Sequence, residues 1–222
     1  MMSNSGPLLV GVFGGTFDPI HYGHLRIAEE IVEIVGLQKM YFVPAGMPRL
    51  RHSPVASPQH RVEIVRLAIQ KNPDFVLDGR EIYRDGVSYS IDTVREFKQE
   101  FGEEVRLCLV LGADAFIKLP EWNNWKELFN LCHFIVSTRP GYTFTLIKEL
   151  LSKELREECS QRWVSNTESL KKDTSGLIFI ASTTMLDISA TSIRAHIAVG
   201  RSVRHLVPSV TVNYISENKL YL

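Results

Sequence analysis

The 222 residues carry 25 basic and 25 acidic side chains, a formal charge of zero and a pI near 7.1. Such a balance speaks against a broad nucleic-acid footprint, which shows as basic excess, and leaves room for a local positive pocket. The length fits one large α/β domain over 1–222, and such a chain buries roughly 70% of its extended surface, enough to fold without a metal or disulfide staple.

The elements alternate along the chain. LLVGVF (8–13) is a short apolar run closed by Gly14 and Gly15, the pattern of a buried strand. From Tyr22 to Val35 apolar residues recur at helical spacing, and Gly36 ends the helix. MYFVPAG (40–46) is a second strand stopped by Pro44 and Gly46, and 46–57, rich in Pro, Arg and Ser, reads as a long loop. Ser57-Pro58 pairs an N-cap with proline at the first helical position and opens a helix to about Lys71. FVLDGREIYR (75–84) reads as a strand with polar flanks, Ser90–Phe101 as a helix and VRLCLVLGAD (105–114) as a strand. A short helical segment holds Trp122 and Trp125, and CHFIVSTRPGY (132–142) gives a strand and a loop. The region 144–175 is polar and helical at first, GLIFIA (176–181) is a late strand, and helices begin near Ser189 and Pro208.

Cys108, Cys132 and Cys159 lie far apart with no CxxC pair, which predicts buried reduced thiols in a cytoplasmic protein. The start MMSNSGP is polar, and no apolar run reaches spanning length, so no membrane partner is expected.

Strands alternating with helices predict a doubly wound, Rossmann-like parallel sheet with helices on both faces, here with a small C-terminal helical part at about 189–222. Such sheets bind ligands at the carboxyl ends of the strands, where the strand order reverses. GGTFDPIHYGHL (14–25) follows the first strand directly. Gly14 and Gly15 permit close backbone approach, and the helix start beyond them offers unpaired N–H groups and positive dipole. His21 and His24, three apart, share one side of that entrance. Together they describe a site for phosphate. A dinucleotide site would need GxGxxG and an acid after the second strand, but the chain reads GVFGGTFD and FVPAG. A zinc site would need a third ligand, and Asp18 beside Pro19 does not complete a cage, so no protein side chain is assigned to a metal.

GGTFDPIHYGHL resembles the first signature of the HxGH nucleotidyltransferases, and ISATSIR (188–194) resembles the second. Between them, SYSIDT (88–93), GADAF (112–116), LPEW (119–122) and STRPGY (137–142) are similar to segments of the bacterial nicotinate-nucleotide adenylyltransferases, in the same order over nearly the whole chain. One departure stands out. Where that family usually has PPHK or PPHR, this chain has Pro48-Arg49-Leu50-Arg51, with Arg49, Arg51 or His52 as candidate substitutes for the histidine.

The resemblance implies transfer of AMP from ATP to nicotinate mononucleotide, giving deamido-NAD and pyrophosphate in NAD biosynthesis. It implies Mg²⁺ accompanying ATP, a cytoplasmic monomer or homodimer, and no nucleic acid. The nucleophile is a phosphate oxygen already ionised at neutral pH, so the chemistry asks for alignment and charge neutralisation and not for a general base. By resemblance His21, His24 and Arg194 serve the phosphates. Gly14, Gly15, Thr16, Phe17, Gly112, Asp114, Ser189 and Ser192 bind ATP. Tyr89, Thr93, Trp122 and Arg139 bind the mononucleotide, Trp122 by its flat face and Arg139 by its charged fork. Arg80, Arg84, His133 and His205 are left as structural or unassigned. The alternatives are another HxGH transferase, for example one acting on phosphopantetheine, and a nucleotide-binding sensor without turnover. Relatives of the first kind are usually shorter and lack the LPEW and RPGY segments, and the intact signatures disfavour the second.

Overall fold

A computed structural model describes residues 8–47, 53–138, 144–184 and 186–222. Seven strands are present among them: β1 (Leu8–Gly15), β2 (Lys39–Pro44), β3 (Phe75–Leu77), β4 (Val105–Gly112), β5 (His133–Thr138), β6 (Trp163–Val164) and β7 (Ile178–Ser182). The helices are α1 (Tyr22–Val35), α2 (Pro58–Ile69), α3 (Arg80–Tyr83), α4 (Ser90–Phe101), α5 (Ala113–Ile117), α6 (Trp125–Leu131), α7 (Phe144–Leu150), α8 (Lys153–Cys159), α9 (Glu168–Lys172), α10 (Ala190–Ala198) and α11 (Ser209–Glu217). All strand pairs are parallel, in the order β3-β2-β1-β4-β5-β7-β6. The order runs outward in both directions from the β1–β4 pair, so the reversal falls between those two strands. The fold is the doubly wound α/β sheet that the alternation predicts.

Two-residue periodicity explains the layering. Along β4, Leu107, Leu109 and Leu111 join the core under α4, α5 and α6, while Cys108 and Val110 join the opposite core under α1 and α2. Ile91, Val94 and Phe97 of α4 fill the first layer, and Ala28, Ile31 and Val35 of α1 fill the second. Helix ends follow their sequence signals. Ser57 accepts from the His60 N–H at 3.3 Å, and Gly36 closes α1 at φ 71°.

The structure corrects two stretches. FVLDGREIYR is not one strand: pairing with β2 stops at Leu77, and Asp78 accepts from the Arg80 N–H at 2.9 Å, turning the chain into α3. The polar region after residue 144 contains β6, whose two residues add to the sheet edge beside β7. The C-terminal helices are not a separate lobe in packing terms, because Ile215 and Tyr221 join the core beneath α1 and α2. No described helix is long and apolar enough to cross a membrane.

All three cysteines are free and buried, and burial pushes the thiols of Cys132 and Cys159 up to about 12 and raises that of Cys108 as well. Titration with a thiol-reactive chromogen at pH 8 should therefore find none of the three reactive in the native chain and all three after unfolding. A thiol that reacts within seconds in the native state would contradict this packing.

Candidate active site

Gly14 and Gly15 end β1, and Gly112 ends β4, so the β1–β4 reversal opens between glycines. Beside them lies a cavity of about 410 Å³ whose walls include Thr16, Tyr89, Asp114 and Trp122. A Cβ added to Gly14 or Gly112 would meet nothing within 4 Å, so protein packing does not account for either glycine. Gly15 differs, since a Cβ there would lie 2.8 Å from the Phe17 ring. Phe17 holds φ 48°, an uncommon conformation for a bulky residue, and its ring is buried against Phe13 and Phe42. Its side chain therefore packs the core, which leaves its backbone as the part able to meet a nucleotide.

His21 caps α1 and His24 follows in the first turn, their rings stacked with centroids 3.8 Å apart. The Nδ1 of His24 accepts from the His21 N–H at 3.4 Å. Gly23 makes this possible: a Cβ there would sit 2.9 Å from His21 Nδ1 and 3.6 Å from the Ile188 carbonyl oxygen. The same glycine thus lets the His21 ring fold back and lets the chain entering α10 approach α1. Burial lowers the His21 pKa to about 4, so the ring is neutral at pH 7. Its Nδ1 is buried without a well-formed hydrogen bond.

At the start of α10, Ser189 caps the helix by accepting from the Ser192 N–H at 3.2 Å. Arg194 donates to the Asp18 carbonyl at 2.7 Å, which ties α10 to the bend between β1 and α1. The Asp18 carboxylate accepts from the Val55 N–H at 2.8 Å, the Ala56 N–H at 3.1 Å and the Tyr221 hydroxyl at 2.8 Å. Arg61, wholly buried, donates to the carbonyls of Thr16 at 2.8 Å and Gly46 at 3.2 Å. Asp18, Arg61 and Tyr221 hold the bend. Sequence periodicity gives no sign of them, because a buried charged side chain on an amphipathic helix looks like a solvated one.

At the other end of the cavity, Tyr89 stands at the N-terminus of α4, and Trp122 is half-buried at the end of a 3-10 turn (Leu119–Glu121). Asp114 is exposed in the first turn of α5 and lines the same wall. Thr93 does not line the cavity. It is 2% exposed, donating to Glu81 at 2.7 Å and accepting from Arg84 at 3.2 Å. Arg139 and residues 48–52, the segment with the PRLR departure, lie outside the described residues.

Ser88, the first residue of SYSIDT, also lines the cavity, as do Glu81, Lys118 and Asn123, which lie outside the quoted segments. Burial raises the Glu81 pKa, against the hydrogen bond from Thr93 and the nearby Arg84 charge. Arg80 and Arg84 are structural, pairing with Asp78, Glu96 and Glu100. His133 is structural too: its Nδ1 accepts from the Leu177 N–H at 3.2 Å, and burial lowers its pKa to about 4.

Residues 12–196 match the cytidylyltransferase-like family model. A relative in Halorhodospira halophila, named a probable nicotinate-nucleotide adenylyltransferase, is 42% identical over 96% of this chain and 94% of its own length. One of the same name in Methylococcus capsulatus is 38% identical over 96% of this chain and 99% of its own. Among solved structures, the Plasmodium falciparum nicotinic acid mononucleotide adenylyltransferase in complex with NaAD is 17% identical. It superposes with a TM-score of 0.70 over 96% of this chain and 97% of its own, which establishes the shared fold.

Two predictions follow from this geometry. His21 and His133 bind a proton at about pH 4 in the folded chain and near their ordinary 6.5 when unfolded. Between those values the unfolded state holds more protons, so stability is full above pH 6.5 and falls as pH drops towards 4. Urea midpoints measured across that window should show uptake of up to about two protons on unfolding, and His133→Gln should remove one of them. Tyr221→Phe should cost about 1–3 kcal/mol in urea unfolding, because the buried Asp18 carboxylate loses a donor. An unchanged midpoint would show that the phenol does not support Asp18.

Proposed function

We infer the reaction from the family, for the chain belongs to the cytidylyltransferase-like family and, within it, to the nicotinate-nucleotide adenylyltransferases. It moves the adenylyl group of ATP onto nicotinate mononucleotide, releasing nicotinate adenine dinucleotide and pyrophosphate in NAD biosynthesis. The full-length likeness to the adenylyltransferase relatives carries the choice of acceptor. The NaAD held by the Plasmodium falciparum protein is the corresponding product.

The acceptor phosphate attacks the α-phosphorus of ATP, a P–O bond forms there, and the bond to the leaving pyrophosphate breaks. Both reactants are anions, so the work is to align them and to offset charge that grows on the α-phosphate and the leaving group. In this reading Gly14, Gly15 and Thr16 meet the nucleotide through their backbone, Gly112 admits it, and Asp114 accepts from the ribose. His24 donates to the α-phosphate in the transition state, and His21 binds the phosphates as a neutral ring with one N–H donor. Ser189, Ser192 and Arg194 hold the outer phosphates from the start of α10. Trp122 stacks on the pyridine ring, Tyr89 lines the wall with it, and Arg139 is assigned to the mononucleotide by the family likeness alone. Thr93 acts at one remove, by holding Glu81 in the wall.

What supports the phosphate roles is the stacked pair of imidazoles at a helix start beside open glycines. Bound with ATP, Mg²⁺ would supply further neutralisation of phosphate charge. Among the described residues no three His, Cys, Asp or Glu side chains cluster to cage a metal. The chain works in the cytoplasm on small molecules, without nucleic acid, as a monomer or homodimer. Its balanced charge and buried free thiols favour that setting.

Pyrophosphate release with ATP and a panel of phosphate acceptors tests the assignment. Nicotinate mononucleotide should give the highest kcat/KM, and an equal or better rate with phosphopantetheine would replace the assignment. His24→Ala should lower kcat by roughly 10²-fold with the fold intact, as for loss of one transition-state donor. His21→Ala should cost less in kcat and more in KM for ATP. Near wild-type turnover by both variants would remove the imidazoles from the mechanism.

A further inference from the structure

Lys118 follows the last turn of α5 and leads into the 3-10 turn that ends at Trp122. Its side chain is exposed and lines the cavity on the same wall as Trp122. Asp114 precedes it by four positions and Glu121 follows by three, yet Lys118 makes no ion pair or hydrogen bond with either through its ammonium. The other charged side chains described around the cavity are Glu81, Asp114 and Glu121, all acidic. Among the described lining residues Lys118 is therefore the only cation.

An acid-rich wall is a poor place for a carboxylate. The acceptor assigned above brings two anionic groups, a phosphate and a carboxylate on the ring. The phosphate goes to the bend between β1 and α1, where the imidazoles and helix starts lie. The ring goes to Trp122, so its carboxylate meets the wall that Lys118 shares. A carboxylate accepts from an ammonium with both oxygens, whereas a carboxamide has one acceptor oxygen and an NH₂ that the ammonium repels.

We propose that Lys118 is the specificity-determining cation of this site, which favours an acceptor ring carrying a carboxylate over one carrying a carboxamide. The proposal rests on the acceptor reading above. Because Lys118 is exposed, its contribution is screened by salt, with a Debye length of about 8 Å at physiological ionic strength. The preference it supplies is thus modest and salt-sensitive.

The measured quantity is the ratio of kcat/KM for nicotinate mononucleotide to that for nicotinamide mononucleotide. Lys118→Gln should lower this ratio roughly 2–5-fold, the effect of one exposed charge pair, and Lys118→Arg should largely keep it. Raising salt should lower the wild-type ratio and leave that of Lys118→Gln flat. Thermal melts should coincide, since the side chain is exposed. A ratio unchanged in Lys118→Gln, even with both rates reduced together, overturns the proposal and assigns the lysine to the phosphate or to solvent. Dissociation constants of the two mononucleotides by calorimetry without ATP give the same ratio independently of turnover. A chain that binds them with a Lys118-dependent preference but releases no pyrophosphate would sink the reaction and spare the inference.

Discussion

The carboxylate of Asp18 is 4% exposed, and an unpaired charge at that depth would cost several kcal/mol. Two backbone N–H groups and the Tyr221 phenol offset the cost, and Arg194 stands 3.8 Å away. These donors come from parts of the chain up to 203 positions from Asp18: the turn before α2, α10, and the segment after α11. Satisfying one buried charge therefore fixes where three distant segments meet the bend between β1 and α1. Tyr221 takes φ 66° to deliver its hydroxyl, and burial together with Asp18 raises its pKa, so it stays a donor at any working pH. Arg61 completes the frame from below, its guanidinium on the carbonyls of Thr16 and Gly46. Burial pulls its pKa down while the Asp18 charge holds it up.

On that frame, the His21 imidazole is uncharged at rest. The burial that keeps His21 neutral also strips water from around its ring, so a hydrogen bond made there acts in a lower dielectric. A fixed cation would be attracted to the neighbouring carboxylates in the free protein. A neutral ring stacked on its partner stays in place without a counter-charge and leaves its unpaired nitrogen for a ligand.

The fold was legible because its signals are local and periodic. Apolar runs ended by Gly14, Gly36 and Gly46, and the Ser57-Pro58 helix start, report backbone geometry directly. The imidazole pair was legible for the same reason, since residues three apart at a helix start must be neighbours. What escaped depends on non-local contacts. Nothing near Arg61 in sequence says that it is 0% exposed beneath Thr16, and nothing near Tyr221 points to Asp18. Thr93 was misplaced by one layer: its helix borders the cavity, but the hydroxyl faces Glu81, which the sequence hid inside an apparent strand. Phe17 sits in the right motif, yet its ring turns inward because the bend needs a hydrophobic plug between Phe13 and Phe42.

The site's chemistry explains why so much structure is spent on holding a bend. No thiol is available near neutral pH, the three cysteines being buried and raised, and the phosphate nucleophile arrives with the substrate. Without a covalent intermediate or a general base, rate comes from alignment, and a misplacement of about 1 Å can cost 10²-fold. Strained or charged residues at Phe17, Asp18, Arg61 and Tyr221 would be odd choices for stability alone, since apolar replacements pack as well. They make sense in a bend whose shape has to be fixed before a ligand binds, as the phosphate roles proposed above require. Gly23 shows how tight the demand is: one added methyl group would lie 2.9 Å from Nδ1 of the His21 ring, closer than the ring allows without shifting.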